Sequence, residues 1–341
     1  MIKEKDYKYN ISKLTLCFTM SVFCSKLVPL RISLSISKKE RAEVKKETIL
    51  NYFKGTIYSA VSQIPEFMFD DIQEIRLRVN KPLSVMCSFK QSYITPNGNL
   101  TCNPFNNVTV TEYEINQCFE AICQYSVHSF KREICEGFVT LKGGHRVGLC
   151  GTAVMHNGTI ENIKNISSLN FRISHQIKGC AEKLYNQIFN DGLCNILIAG
   201  VPMSGKTTLL RDLTRILGSN YKTSVIDERG EIAAVWNGIP QNDIGINTDV
   251  FDGYPKADGI LTAIRVMSPQ IIVCDEIGGE ADMNAVKHAS YCGVYVAATI
   301  HAANINELVK RTGADIFDKI VFLSDKGTVT HIMNRTVNGY A

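Results

Sequence analysis

A glycine-rich segment that ends in a lysine and two threonines lies past the middle of the chain. Residues 200–208 (GVPMSGKTT) fit the pattern GxxxxGK[ST], in which glycines let backbone N–H groups curl around a polyphosphate. In this pattern Lys206 reaches the β- and γ-phosphate oxygens, and the Thr207 hydroxyl ligates Mg²⁺. The sequence therefore predicts a site for ATP and Mg²⁺. The predicted phosphate-binding residues are Gly200, Val201, Pro202, Met203, Ser204, Gly205, Lys206, Thr207 and Thr208.

Two carboxylates end a second apolar run, IIVCDE at residues 271–276. An apolar strand delivers such residues to its carboxyl end, where open parallel sheets bind their ligands. Asp275 is expected to hold the Mg²⁺ through water. Glu276 is expected to polarise the attacking water as the general base. The alternative is a pair of ordinary surface acids.

Polar residues after two more predicted strands are also candidates for catalysis. Residues 224–234 (SVIDERGEIAA) contain Glu231 and neighbouring acids that would position water or metal, with Arg229 as their ion-pair partner. The alternative is a solvated loop of charges. His301 follows the apolar run VYVAAT and is a candidate to sense the γ-phosphate by hydrogen bonding. Its alternative is a structural histidine.

Three arginines are candidates to stabilise phosphate charge. Arg265 lies six residues before the run at 271–276, and it would reach phosphate in its own or a neighbouring subunit. Arg146 and Arg172 precede the P-loop and would act as fingers that enter a site of another subunit. For each of the three, an ordinary salt bridge is the alternative.

The elements that position these residues alternate between apolar strands and helical stretches from about residue 175 onward. Such alternation favours a parallel sheet with crossover helices. The fold class predicted for residues 177–341 is α/β, a RecA-like P-loop core with a mainly parallel sheet. The predicted strands are 195–199, 223–227, 271–275 and 294–299, and the predicted helices are 206–217, 255–267 and 280–291.

The earlier part of the chain predicts a small α+β domain at residues 47–160. Ile75 and Leu77 alternate with Arg76 and Arg78, which is typical of a half-buried strand. Residues 137–154 predict a hairpin that turns on two adjacent glycines. The polar residues 161–176 are predicted to be a linker. Residues 1–46 are predicted to be a poorly ordered extension, with a signal peptide or a membrane-surface segment as alternatives.

Charge and cysteine usage limit the function classes. The net charge is +4, but residues 1–50 hold eleven Lys or Arg against five Asp or Glu, so the rest of the chain is slightly acidic. A general nucleic-acid binder carries its positive charge on the folded part. The twelve cysteines form no CxxC pair, which disfavours a zinc ribbon and favours a reducing compartment.

Taken together, the motifs resemble one family. GVPMSGKTT, VIDERGEIA, GILTAIRVMSPQIIVCDEIGG and AATIHA follow in a fixed order, with GGHRVG upstream. This set resembles the stage III sporulation protein AA family of endospore-forming bacteria, which is similar to the type II/IV secretion and pilus ATPases. The resemblance covers residues 47–335.

The resemblance implies roles for residues at matching positions. Residues 200–208 would be the Walker A site, Asp275 and Glu276 the Walker B pair, and His301 a "His box". An acidic box would comprise Asp227, Glu228 and Glu231. The small domain would supply arginines to the nucleotide. The chain departs from the secretion ATPases in having Asp-Glu where they usually have Gly-Glu, and in lacking a tetracysteine zinc module.

The implied function is ATP hydrolysis at the cytoplasmic face of a membrane, on the mother-cell side, to power or assemble a channel between mother cell and forespore. The implied partners are further copies of the chain, in a hexamer, and membrane proteins of the same complex such as stage III sporulation protein AB. One alternative is a RecA-like ATPase linked to nucleic acid, which a basic, aromatic-rich extra domain would indicate. Another is a structural ring with a slow ATPase.

Overall fold

The structure is a computed structural model that describes residues 46–88, 90–302, 304, 307–308, 314–324, 327–336 and 339–340. The predicted extension at residues 1–46 lies outside these ranges except for its last residue. In the described part of the chain, no helix is both long enough and apolar enough to cross a membrane.

A seven-stranded antiparallel sheet forms the small domain. Its strands are β1 (Ile72–Arg78), β2 (Ser84–Cys87), β3 (Lys90–Ile94), β4 (Leu100–Thr101), β5 (Phe138–Thr140), β6 (Arg146–His156) and β7 (Thr159–Arg172). Their order across the sheet is β4-β3-β2-β1-β7-β6-β5. The accompanying helices are α1 (Lys46–Leu50), α2 (Gly55–Ser62), α3 (Glu66–Phe69), α4 (Glu112–Ile122) and α5 (Lys131–Glu136).

Local sequence explains the main elements of this domain. In β1, Ile75 and Leu77 are fully buried, as their alternation with arginines predicts. Helix α4 begins at a capping box, in which the Glu114 N–H donates to the Thr111 hydroxyl at 3.2 Å and the Thr111 N–H donates to the Glu114 carboxylate at 3.0 Å. The predicted hairpin is also present, because β5 and β6 pair antiparallel around residues 141–145.

The linker predicted at residues 161–176 is wrong for residues 161–172, which form most of β7. β7 pairs with β6 along its length and with β1 near its carboxyl end. The outer part of the β6–β7 ribbon is exposed on both faces, so the sequence there shows no apolar alternation. The sheet of the small domain therefore continues to Arg172.

The second half of the chain forms an eight-stranded sheet. Its strands are β8 (Ile196–Gly200), β9 (Thr223–Asp227), β10 (Thr248–Asp252), β11 (Ile271–Cys274), β12 (Tyr295–His301), β13 (Lys319–Leu323), β14 (Val329–Thr336) and β15 (Gly339–Tyr340). Their order is β10-β9-β11-β12-β8-β13-β14-β15. Pairing is parallel from β10 through β13 and antiparallel for β14 and β15.

Helices accompany this sheet: α6 (Glu182–Ile188), α7 (Lys206–Asn220), α8 (Lys256–Val266) and α9 (Glu280–Tyr291). Every residue of β8, β9 and β11 is buried, because apolar clusters cover both faces of the sheet. This half of the chain is therefore α/β, and the molecule as a whole combines one antiparallel and one mixed sheet.

The parallel strands place the candidate residues at one edge. β9, β11, β12 and β8 are consecutive neighbours in the sheet, so their carboxyl ends lie side by side. Asp227, His301 and Gly200 end β9, β12 and β8, and Asp275 directly follows β11. This edge, with the loop after β8, is where an open α/β sheet binds its ligand.

Candidate nucleotide site

The segment 200–208 is a tight loop between β8 and α7. Gly205 has a left-handed backbone with φ of 91°, which favours glycine. A Cβ on Gly200 would lie 2.6 Å from the Ser204 hydroxyl, so a larger residue would disturb the loop. Helix α7 begins at Lys206. The N–H groups of its first turn have no intrahelical acceptor and are available to an anion.

The Lys206 ammonium is buried in this loop. Its Nζ donates to the carbonyl oxygens of Gly200 at 3.0 Å and Val201 at 2.9 Å. It also lies 3.0 Å from His301 Nδ1. Burial lowers the pKa of Lys206, and the nearby carboxylates oppose that effect. The ammonium is therefore held at the centre of the loop, where the motif requires a cation.

The predicted magnesium ligands are in direct contact. The Thr207 hydroxyl donates to Asp275 Oδ2 at 2.8 Å. The Thr299 hydroxyl donates to the other Asp275 oxygen and accepts the Glu276 N–H at 2.7 Å. Thr299 therefore fixes both carboxylate residues at the end of β11.

Glu276 stands in a strained backbone conformation, with φ of 49°. Its Oε2 accepts from Arg229 Nη1 at 3.1 Å, and its Oε1 lies 3.3 Å from His301 Nε2. Because His301 also contacts Lys206, one imidazole joins the general-base candidate to the P-loop lysine. The structure thus brings Lys206, Glu276 and His301 together.

The acidic segment after β9 divides into different roles. Asp227 is buried and accepts N–H groups of residues 231–234, with the shortest bonds at 2.7 and 2.8 Å. Its carboxylate shapes the turn. Glu228 pairs with Lys256 of α8.

Glu231 is the acid of this segment that faces the site. Burial raises its pKa, with Asp275 acting in the same direction and Arg146 in the opposite one. Its carboxylate pairs with Arg146 Nη1 at 3.4 Å.

Two cavities meet at this edge. One, of about 380 Å³, lies between the loop at 200–208 and the two acids that follow β11; its lining residues include Lys206, Thr207, Glu231, Asp275, Glu276, Thr299 and His301. The other, of about 680 Å³, separates the small domain from the core and is rich in arginine; it is lined by Arg76, Arg146, Arg172, Arg211, Thr207 and Glu231, among others. Thr207 and Glu231 line both, so the cavities adjoin.

Two of the small-domain arginines that line this cleft lie in one row of the sheet. Glu74 of β1, Arg172 of β7 and Arg146 of β6 are direct cross-strand partners and therefore share a face. Arg172 lies 4.0 Å from Glu74 and is largely exposed. Arg146 is fixed by Glu231 and by the carbonyl oxygen of Arg229.

Arg265 does not reach the site of its own chain. It lies in the last turn of α8, where its Nη2 donates to the Thr262 hydroxyl at 3.4 Å. α8 leads into β11 at its amino end, so Arg265 lies near the opposite edge of the sheet from Asp275. The same-subunit role is therefore wrong, and contact with a neighbouring subunit stays a prediction.

Arg211 also lines the cleft, although none of the sequence motifs includes it. Its Nε and Nη2 donate to the Glu231 carbonyl oxygen at 3.1 and 2.7 Å. Burial lowers its pKa. Its position four residues after Thr207, on the same face of α7, was the available signal.

The residues present fit a magnesium nucleotide. The buried Ser204 hydroxyl has no hydrogen-bond partner among the described residues, which leaves a polar atom in the loop for a ligand. The Thr207 hydroxyl and the Asp275 carboxylate suit Mg²⁺, because this ion needs few protein ligands and completes its coordination with water molecules and phosphate oxygens. Within the described ranges no group of three or more His, Cys, Asp or Glu residues is placed to bind a metal by itself.

Comparison with solved structures identifies a similar fold. The chain is similar to the crystal structure of the pilus retraction motor PilT with bound ADP, with a TM-score of 0.53, 13% identity, and coverage of 84% of this chain and 79% of that one. It is also similar to the ATPase DotB of Legionella pneumophila, with a TM-score of 0.48, 16% identity, and coverage of 81% and 78%.

Comparison of sequences identifies the family. The stage III sporulation protein AA of Bacillus subtilis (strain 168) is 35% identical over 314 residues, which cover 88% of this chain and 96% of that protein. The family model described as "Sporulation stage III, protein AA" matches residues 43–337. The chain therefore belongs to the family of stage III sporulation protein AA.

Proposed function

We propose that this protein is a Mg²⁺-dependent ATPase with a RecA-like core, working as a motor of the secretion-ATPase type. The observation that carries the proposal is the convergence of four residues on one cavity at the carboxyl edge of the sheet: Lys206, Thr207, Asp275 and Glu276. The 2.8 Å bond between Thr207 and Asp275 joins the two halves of this site. The fold shared with PilT, whose crystal structure contains ADP, supports the same conclusion.

Each residue has a distinct role in this proposal. The loop at 200–208 and the first turn of α7 bind the phosphates through their N–H groups. Lys206 exchanges its carbonyl partners for β- and γ-phosphate oxygens. Thr207 and Asp275 would hold Mg²⁺, the threonine by its hydroxyl and the aspartate through water. The metal would offset the negative charge of the phosphates.

Glu276 acts as the general base. It accepts a proton from the water whose oxygen bonds to the γ-phosphorus, while the bond from that phosphorus to the bridging oxygen breaks and ADP leaves. His301 senses the γ-phosphate in this proposal, and its contacts with both Glu276 and Lys206 support that role.

The arginine-rich cleft suits the charge that develops during phosphoryl transfer. Arg146, Arg172 and Arg211 line it beside Thr207, and Arg172 is the most exposed of the three. We infer that Arg172 completes a site when the small domain closes or a second subunit approaches. Arg265, which α8 carries away from the site of its own chain, would serve a neighbouring subunit in this proposal.

Family membership supports a role in sporulation. We propose that the ATPase works at the cytoplasmic face of a membrane on the mother-cell side, where it powers or assembles a channel toward the forespore. Its partners in this proposal are membrane proteins of the same complex, such as stage III sporulation protein AB.

The proposed assembly is a homo-oligomer, a hexamer by likeness to the secretion ATPases. If an arginine of one subunit completes the ATP site of the next, ATP turnover requires the assembled oligomer. ATP turnover per subunit should therefore rise with protein concentration and level off as the mass measured by light scattering reaches that of the oligomer. A flat rate across that range would contradict shared sites.

The test of the enzymatic proposal is phosphate release from MgATP by the purified full chain and by Lys206→Ala. We expect turnover in the wild type and only the protein-free background in the variant, with nucleotide affinity reduced. Equal rates in both proteins would overturn the proposed site.

A further inference from the structure

The exposed Arg229 connects the general-base candidate to the small domain. We propose that Arg229 is a positioning residue that restrains Glu276, and that Arg146 of the small domain sets the position of Arg229. This inference rests on the proposed function, in which Glu276 activates water. It makes hydrolysis, and not ATP binding, depend on where the small domain lies.

The restraint is an ion pair at the active edge. Arg229 Nη1 donates to Glu276 Oε2 at 3.1 Å, while His301 Nε2 lies 3.3 Å from the other oxygen. Each carboxylate oxygen therefore has one side-chain partner. The ion pair holds Oε2 toward Arg229, and a general base must turn an oxygen toward the attacking water. Releasing Arg229 frees Oε2 to turn.

The connection to the small domain is made through the backbone of the same residue. Arg146 Nη2 donates to the carbonyl oxygen of Arg229, and Nη1 pairs with Glu231 at 3.4 Å. The Arg146 guanidinium also lies 5.0 Å from the centre of the Phe138 ring, within the small domain. The Arg146 side chain is only 21% exposed, so these contacts hold it in a fixed position relative to the small domain.

The turn that carries Arg229 is fixed at one end. Asp227 is buried and accepts N–H groups of residues 231–234, which holds the far side of the turn against β9. Gly230, with φ of 63°, lies between the anchored part and Arg229. The space that Arg229 and Glu276 enclose with the turn measures about 10 Å³, close to the minimum for one water molecule.

The ion pair between Arg229 and Glu276 is weaker than the contact of Arg146 with the Arg229 carbonyl, so the ion pair is the contact that can be released. The side chains of Arg229 and Glu276 are 63% and 42% exposed, so water screens their ion pair. A shift of the small domain moves Arg146 and, with it, the carbonyl of Arg229. The weak ion pair then breaks first, and Glu276 is released for catalysis.

The first experiment compares steady-state kcat and KM for MgATP in the full chain. Arg229→Ala should raise kcat about two- to fivefold, the scale of an exposed ion pair, and leave KM within about twofold. Arg229→Lys retains the charge and should stay near the wild type. Lys131→Ala, which breaks a similarly exposed pair of the small domain with Glu161, is the matched control and should change neither constant.

A double-mutant cycle tests the link to the small domain. If Arg146 acts through Arg229, the change that Arg146→Ala causes in kcat should shrink in the Arg229→Ala background. Independent effects would overturn the link. Unchanged or lower kcat in Arg229→Ala would overturn the restraint.

Glu276→Gln separates this inference from the function on which it rests. An inactive Glu276→Gln together with an unaltered Arg229→Ala refutes the restraint alone. Ordinary turnover by Glu276→Gln refutes the base role and the inference with it.

Discussion

The Thr207 hydroxyl donates a 2.8 Å hydrogen bond to Asp275 across the gap between the P-loop and the end of β11. These residues are 68 positions apart in the chain, yet both are the ligands that the motifs assign to one metal ion. Their contact makes the metal-binding role of the pair testable by removing a single oxygen atom.

Thr207→Ala removes the hydroxyl and retains the loop. We expect the Mg²⁺-dependent kcat/KM to fall about 100-fold, because direct metal coordination supplies several kcal/mol of charge stabilisation. Thr207→Ser restores the hydroxyl and should recover most of the activity. A magnesium titration of turnover measures both, and a normal magnesium dependence in Thr207→Ala would exclude the assigned ligand.

Asp227 is predicted to matter for stability. Asp227→Asn places an amide group against N–H donors of residues 231–234, and leaving those groups unsatisfied should lower the free energy of unfolding by on the order of 3 kcal/mol. Asp249→Asn, at an exposed position of the neighbouring strand β10, should change it by less than about 0.5 kcal/mol. Urea unfolding followed by circular dichroism compares the two. Equal, small effects would show that the turn does not depend on this carboxylate.

Arg172→Ala should bind ATP with wild-type affinity and hydrolyse it at least about tenfold more slowly, because an arginine finger acts on the transition state. Arg78→Ala is the matched control: Arg78 lies on β1, where it donates to the Ser84 hydroxyl at 3.3 Å. It should keep normal turnover. Fluorescent-nucleotide binding and phosphate release provide the two readouts, and wild-type rates in Arg172→Ala would remove the finger role.

His145 should make stability depend on pH. Burial lowers its pKa to about 4, with His175 contributing, so the folded protein keeps the imidazole neutral. The unfolded chain takes up the proton near pH 6.5, so the free energy of unfolding should fall between pH 6.5 and 4, by up to about 3 kcal/mol. Above about pH 6.5 the imidazole is neutral in both the folded and the unfolded chain, so this loss of stability is absent.

His145→Gln should flatten this pH dependence relative to the wild type in urea titrations. Because the variant also loses the acceptor for the Ser174 N–H, an NMR titration of the wild-type imidazole provides a second measurement. An imidazole that titrates near pH 6.5 in the folded protein would contradict the prediction.

The parts of the site that sequence alone could predict are those defined by contiguous residues. The glycines, lysine and threonine that form the phosphate-binding loop lie together in the segment 200–208, so the sequence alone predicts the loop. The apolar run before Asp275 likewise predicts a buried strand. Family membership follows from the same motifs and is confirmed by the 35% identity to the Bacillus subtilis protein.

Other features depend on contacts between distant residues and could not be predicted. Asp227 resembles a catalytic acid in the sequence, but its partners are backbone N–H groups that only the folded turn supplies. Arg265 is near Asp275 in the chain, but the direction of α8 carries it away from the site. Residues 161–165 carry no apolar alternation because both faces of the outer ribbon meet water, whereas the buried Leu169 and Phe171 alternate with Asn170 and Arg172 and so carry a strand signal.

The most direct test of the base role of Glu276 is single-turnover and steady-state ATP hydrolysis by Glu276→Gln. We expect the variant to bind MgATP at least as tightly as the wild type, to retain it as ATP, and to release phosphate at least about 100-fold more slowly, because the general base is gone while the phosphate-binding loop is intact. Phosphate release at the wild-type rate would show that Glu276 is not the base and that the chemistry of this edge is assigned to the wrong residue.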